Sequence, residues 1–191
     1  MNTAKWFGIF LFLTFIAGCA SLSSDNANVR AYDQTRYFKD DVTGREGVSL
    51  SRTNGGFWDT KQDTYSLQIG PSLAYRDGLE LFYTFRAEDW AFLDTAYMNG
   101  RRISFTERYR KVDSDSSGVS IREHFSVTIP LNEAITGSCE VDGLKIAFEG
   151  EGSRVNLHVK QADLQGFLKK AKDLKMAKIE GSCFDLPEEQ D

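Results

Sequence analysis

The chain has 191 residues, with 23 basic and 28 acidic side chains and a formal net charge of −5. That balance argues against nucleic acid or an anionic lipid surface as a general partner. Three prolines, no internal repeat and no low-complexity block exclude a linker or fibrous protein, while 14 Phe and 7 Tyr suffice for the core of one folded domain.

In chain order, Lys5 is the only charge before Cys19, and Trp6 to Ile16 is apolar but for Gly8 and Thr14. A positive start, a short apolar core and small residues form the three-part layout of a secretory signal. A spanning helix needs roughly 20 apolar residues, so this run is too short to remain in a membrane by itself. It closes on Ile16-Ala17-Gly18-Cys19, which resembles the lipobox of bacterial lipoproteins. The resemblance covers the first two dozen residues and none of the mature domain. It implies that residues 1–18 are cleaved and that Cys19 carries three acyl chains, palmitate among them. Two anchoring signals already give stable attachment, so three chains make a permanent tether. Ala20, where an aspartate would signal inner-membrane retention, implies the outer membrane of a Gram-negative envelope. The ordinary alternative is a signal peptide cut near Ala17 or Gly18, with Cys19 incidental. Loss of residues 1–18 removes Lys5 and no acid, so the mature charge becomes −6.

Residues 19–30 read as a lipidated tether, small and polar from Ala20 to Asn28. Residues 31–186 read as a single β-rich globular domain and residues 187–191 as an acidic tail. Tyr32, Tyr37 and Phe38 follow no clear period, and their stretch is a first strand or a strap. From Gly47 the pattern has a period of two: Val48 and Leu50, then Tyr65, Leu67 and Ile69, then Leu79, Leu81, Tyr83 and Phe85, separated by Asn54-Gly55-Gly56 and Arg76-Asp77-Gly78 turns. Asn99-Gly100 is the preferred type I′ hairpin pair. It sets Met98 opposite Arg101, Ala96 opposite Ile103, Phe92 opposite Glu107 and Trp90 opposite Tyr109. A loop over residues 113–117 then places Val112 opposite Gly118 and Phe105 opposite Phe125.

Pro130 ends that strand and a helical turn is expected over 131–136. Leu144, Ile146 and Phe148 pair with Val155, Leu157 and Val159 around Gly150-Glu151-Gly152. Leu164, Phe167, Leu168, Ala171 and Leu174 then form the stripe of an amphipathic helix, which Gly166 weakens by about 1 kcal/mol against alanine. The expected fold is mostly β: an antiparallel β-sandwich or strongly curved sheet with one C-terminal amphipathic helix.

With Cys19 assigned to lipid, Cys139 and Cys183 remain as an even pair in an oxidising compartment, and a disulfide is expected. Two separate buried thiols or a metal pair are the alternatives. Neither cysteine lies in a C-x-x-C motif, and the histidines are not spaced around them, which disfavours metal.

The segment Asp113-Ser114-Asp115-Ser116-Ser117-Gly118 begins like a calcium-binding loop. Ser120 and His124 stand where an aliphatic residue and a bidentate glutamate are required, so a polar hairpin tip is the reading. Glu107 and Glu123 face each other on the apolar side in the expected register. Such a pair raises at least one carboxyl pKa and could serve glycoside hydrolysis, or it lies at the rim where both reach water or a cation. On the opposite face Arg102, Arg108, Arg110, Arg122 and His124 form a basic stripe, either for an acidic ligand, sugar phosphate or partner, or simply solvated. No nucleophile elbow, phosphate loop or zinc spacing occurs, and no cofactor is expected.

The leading reading is a non-enzymatic envelope lipoprotein that binds a protein, glycan or small apolar ligand. A lipid-anchored hydrolase using Glu107 and Glu123 is one alternative, and an assembly factor offering a sheet edge is the other.

Overall fold

A computed structural model describes residues 22–54, 63–71, 78–115, 118–180 and Cys183. The tetrapeptide read as a lipobox, the residues read as an acidic tail, and most of those read as the Asn54-Gly55-Gly56 and Arg76-Asp77-Gly78 turns lie outside the described residues.

Nine strands form one antiparallel sheet: β1 (Arg36–Asp40), β2 (Arg45–Asn54), β3 (Asp63–Ile69), β4 (Gly78–Ala87), β5 (Thr95–Met98), β6 (Arg101–Asp115), β7 (Gly118–Pro130), β8 (Leu144–Gly150) and β9 (Ser153–Val159). Their order is β1-β2-β3-β4-β7-β6-β5-β8-β9. Among the described residues there are three helices: α1 (Leu22–Gln34), α2 (Leu131–Cys139) and α3 (Gln161–Asp173). The domain is therefore mostly β with a C-terminal helix, as the alternation and the helical stripe indicate.

The sheet is strongly curved. Tyr83 on β4 and Phe148 on β8 are four strands apart, roughly 19 Å in a flat sheet. Their rings stack with centroids 5.2 Å apart, and Phe125 on β7 closes the cluster at 4.7 Å from Phe148. The sheet thus folds over its own inner face, burying Leu50, Leu67, Leu81, Tyr83, Phe125 and Phe148. It is not closed into a barrel, and β1 and β9 are its edges.

Helix α3 fills the open side. It buries Leu164, Phe167, Leu168 and Ala171, and Asp163 in its first turn takes Arg52 Nε at 2.8 Å and the Tyr65 hydroxyl at 2.9 Å. Those bonds tie the helix to β2 and β3. The Cys139–Cys183 disulfide is formed, with Cα atoms 5.3 Å apart. It joins the end of α2 to the chain beyond α3.

Two expectations change. Residues 22–34 form a helix rather than a tether running into a strand or strap, and the first strand begins only at Arg36. The helix shows no strong apolar stripe because it needs little: Ala31 buries against Gly166 of α3 at a backbone-close crossing. The register of the long hairpin also differs. Ala96–Ile103 and Met98–Arg101 pair as expected. However, β5 starts at Thr95, so Trp90 and Phe92 leave the ladder, Phe92 with φ of +49°. Asp115 pairs with Gly118 across a two-residue loop rather than a five-residue one, and a bulge interrupts β6 between Glu107 and Tyr109. A bulge adds one residue to one strand and turns everything beyond it to the other face.

Candidate functional site

The bulge separates the two carboxylates. Glu107 pairs with Phe125 and is half exposed, while Arg110 pairs with Glu123 and turns to the inner face. Glu123 is 1% exposed, and its carboxylate accepts the backbone N–H groups of Ala91, Phe92 and Leu93 at 2.7, 3.0 and 3.0 Å. Arg110 Nε adds a contact at 3.3 Å, its Nη1 reaches Glu107 at 2.5 Å, and its Nη2 donates to the Leu93 carbonyl at 2.8 Å. The oxygens of Glu123 are thus committed to holding the irregular segment before β5 against the sheet. A carboxylate whose oxygens are so occupied has little hydrogen-bonding capacity left to meet a substrate. Arg110, expected on the basic stripe, is the clamp of this arrangement.

The outer face of β4, β7 and β6 presents a different surface. Phe82, Thr84 and Arg86 stand on β4 and His124 and Arg122 on β7, with Arg108, Tyr109 and Lys111 on β6. Three rings stand in a ladder: Phe82 to His124 at 6.1 Å and His124 to Tyr109 at 4.8 Å, both stacked. Cations close its two ends, Arg108 over Phe82 at 5.5 Å and Lys111 over Tyr109 at 5.9 Å. His124 Nδ1 is 2.8 Å from the Thr84 hydroxyl, leaving Nε2 for a ligand. Burial, then the charges of Arg108 and Arg122, hold the imidazole below its ordinary pKa.

One step along the sheet, Arg86, Arg122 and Lys111 occupy a single cross-strand row. Asp113 is the acid beside it: Lys111 Nζ lies 3.0 Å from it, and Arg122 Nη2 lies 2.5 Å away, close enough for an ion pair but off the hydrogen-bond axis. Arg86 has no ion pair among the described residues, and Nε of both arginines is buried without a hydrogen-bond partner. Arg108 is neutralised by the buried Glu80 at 2.6 Å and donates to Ser126 Oγ at 3.1 Å. Asp163 is not part of this face and pairs with Arg52 instead.

Arg102 lies at the other end of β6 from Lys111, exposed and opposite Tyr97. From Tyr97 the outer surface continues to Ala147 and Asn156 as a shallow groove of about 600 Å³. Its charges are closed in pairs, Arg154 with Glu149 and Lys145 with Asp142.

Sequence reasoning placed Arg102, Arg108, Arg122 and His124 on one face. It missed Phe82, Arg86, Tyr109 and Lys111. Phe82 and Arg86 have outward parity on β4 and are readable as exposed. That they stand beside β7 follows from the pairing of strands distant in sequence.

Among the described residues no group of three His, Cys, Asp or Glu side chains is placed to hold a metal, and no helix is long and apolar enough to cross a membrane. No protein-family model, curated protein or solved structure matches the chain.

Proposed function

We propose that this chain is a lipid-anchored lipoprotein of the bacterial envelope, held by Cys19 in the outer membrane, and a non-enzymatic binding module. It meets an envelope glycan or protein through the outer face of β4, β7 and β6. The anchor is supported by the Ile16-Ala17-Gly18-Cys19 tetrapeptide and its placement after a short apolar run. The observation that carries the binding reading is the charge of that face. In a chain of net charge −5, it gathers Arg86, Arg108, Lys111 and Arg122, met among the described residues by Glu80 and Asp113. Tethering raises the effective concentration of such a face toward envelope partners, so modest intrinsic affinity suffices. The engagement of Glu123 by three backbone amides and Arg110 favours binding over hydrolysis. The edges β1 and β9 are short and carry Arg36, Lys39 and Arg154, a pattern that discourages strand addition.

Metabolic labelling with a fatty acid should mark the wild-type protein, and Cys19→Ser should lose both label and membrane association. Retention of label by Cys19→Ser would remove the anchor. For the face, crosslinking pull-down from native envelopes should recover a partner with the wild type and lose it with Arg86→Gln plus Lys111→Gln. Undiminished capture by that double variant would move the binding site elsewhere.

A further inference from the structure

Resting on the binding-module reading above, we infer that the Arg86–Arg122–Lys111 row is an oxyanion subsite for a phosphate-bearing glycan. Arg86 and Arg122 are direct cross-strand partners on β4 and β7. Like charges directly opposite one another destabilise a sheet, and a buried N–H without an acceptor adds a desolvation cost. Both penalties occur here at one place, since Nε of each arginine is buried and unpartnered. Lys111 extends the row on β6, and a single carboxylate, Asp113, serves two of the three cations. Among the described residues the row therefore holds a surplus of positive charge.

Three cations delivered from three adjacent strands, at about 5 Å spacing, suit a dianion with several acceptor oxygens better than a planar carboxylate, which one guanidinium satisfies in a fork. The neighbours of the row choose among phosphate sources. The faces of Phe82, His124 and Tyr109 are occupied by one another and by Arg108 and Lys111, so the ladder offers hydrogen-bonding edges to a ligand rather than an apolar platform. Imidazole and hydroxyl edges suit a polyol. The same surface runs through Arg102 onto the groove of Tyr97, Asn99 and Asn156, where the charges are internally paired and amides remain. The groove lies nine residues back along β6 from Lys111, roughly 30 Å, so only a glycan of several sugar units extending from the phosphate reaches it, while the first unit meets the His124 and Tyr109 edges.

A phosphate on the membrane that holds the chain is disfavoured by direction. Cys19 stands three positions before the start of α1, and α1 packs on α3, on the inner side of the sheet. The row is on the other side.

Titration calorimetry on the mature lipidated chain in neutral detergent micelles tests this, with glucose 6-phosphate, inorganic phosphate, glycerol 3-phosphate, glucose and a phosphoserine peptide as probes. Glucose 6-phosphate should bind about tenfold more tightly than inorganic phosphate or glycerol 3-phosphate, with no heat from glucose. Arg86→Gln should weaken glucose 6-phosphate about tenfold, the loss of one charge-assisted contact. The same substitution should raise the melting temperature, because it removes a like-charge pair and a buried orphan donor. A purely structural arginine would show the opposite sign. Equal binding of all three small phosphates would reduce the row to a general anion site and overturn the glycan assignment. Tighter binding of the phosphoserine peptide would replace the glycan with a phosphoprotein. No binding of any phosphate would overturn the subsite, while envelope capture in the pull-down would separately leave the binding-module reading standing.

Discussion

Glu123 and Glu107 bear the same group and face different consequences when altered. Truncating Glu123 to alanine leaves three backbone amides and a part-buried Arg110 without their acceptor. Breaking a buried charge pair this way costs about 3–5 kcal/mol. Glu107 is half exposed and meets Arg110 at the surface, so Glu107→Gln should change stability by no more than about 0.5 kcal/mol. Urea unfolding of the two variants checks this, and similar losses would contradict the structural role assigned to Glu123. His124 supplies a pH dependence. Burial and the charges of Arg108 and Arg122 depress its pKa in the folded chain, so the unfolded chain binds the proton more readily. Its contribution is present above the unfolded value of about 6.5 and is lost as pH falls from there toward the folded value. The melting temperature should therefore drop between pH 7.5 and 5.5 more in the wild type than in His124→Gln; parallel curves would exclude the histidine as the cause.

Gly166 shows at the scale of one helix how context reverses a propensity. In an exposed helix a Gly→Ala change gains about 1 kcal/mol. On α3 an added Cβ would sit 2.5 Å from the Asn28 carbonyl oxygen and 2.5 Å from the Tyr32 amide nitrogen, both backbone atoms of α1. Relief requires the two helices to move apart, so Gly166→Ala should cost about 1–3 kcal/mol, read as a lowered urea midpoint. A gain would mean that α1 does not pack there. The Cys139–Cys183 bridge acts on the same helical layer by closing a loop of sequence separation 44. On the chain-entropy model that is at most about 4 kcal/mol. Both cysteines are exposed, so a reductant reaches them without prior unfolding. Reduction should lower the midpoint and leave β-sheet circular dichroism in place; an unchanged midpoint would make the bridge incidental.

For the whole molecule the decisive property is where the charge sits. A net charge of −5 predicts weak affinity for anions at long range, yet one face of the sheet is cationic. Short-range attraction over an acidic background is screened by salt, with a Debye length of about 10 Å at 0.1 M and about 3 Å at 1 M. Partner capture from envelopes should therefore fall steeply as salt is raised from 0.1 to about 1 M. Capture insensitive to salt would point instead to an apolar contact. The strong curvature of the sheet serves this arrangement by giving the aromatic cluster of Tyr83, Phe125 and Phe148 to the interior and leaving polar rows outside.

The sequence alone determined what depends on neighbours along the chain. Alternation of Tyr65, Leu67 and Ile69, and of Leu79, Leu81 and Tyr83, marks strands because side chains repeat every two residues. Asn99-Gly100 fixes its hairpin because both residues tolerate positive φ, and Leu164, Phe167, Leu168 and Ala171 mark a helix by spacing. The parity of the cysteines and the compartment implied by the apolar leader pointed to the disulfide. Tertiary structure alone decided what depends on total packing. The bulge after Glu107, which turns Arg110 inward and Tyr109 outward, carries no local signal, because any residue can be the extra one when the core beyond it packs better. Helix α1 has little apolar stripe of its own and exists against Gly166. The meeting of Arg86 with Arg122 needs β4 beside β7, strands separated by two others in sequence, and no periodicity within either strand records which one lies alongside.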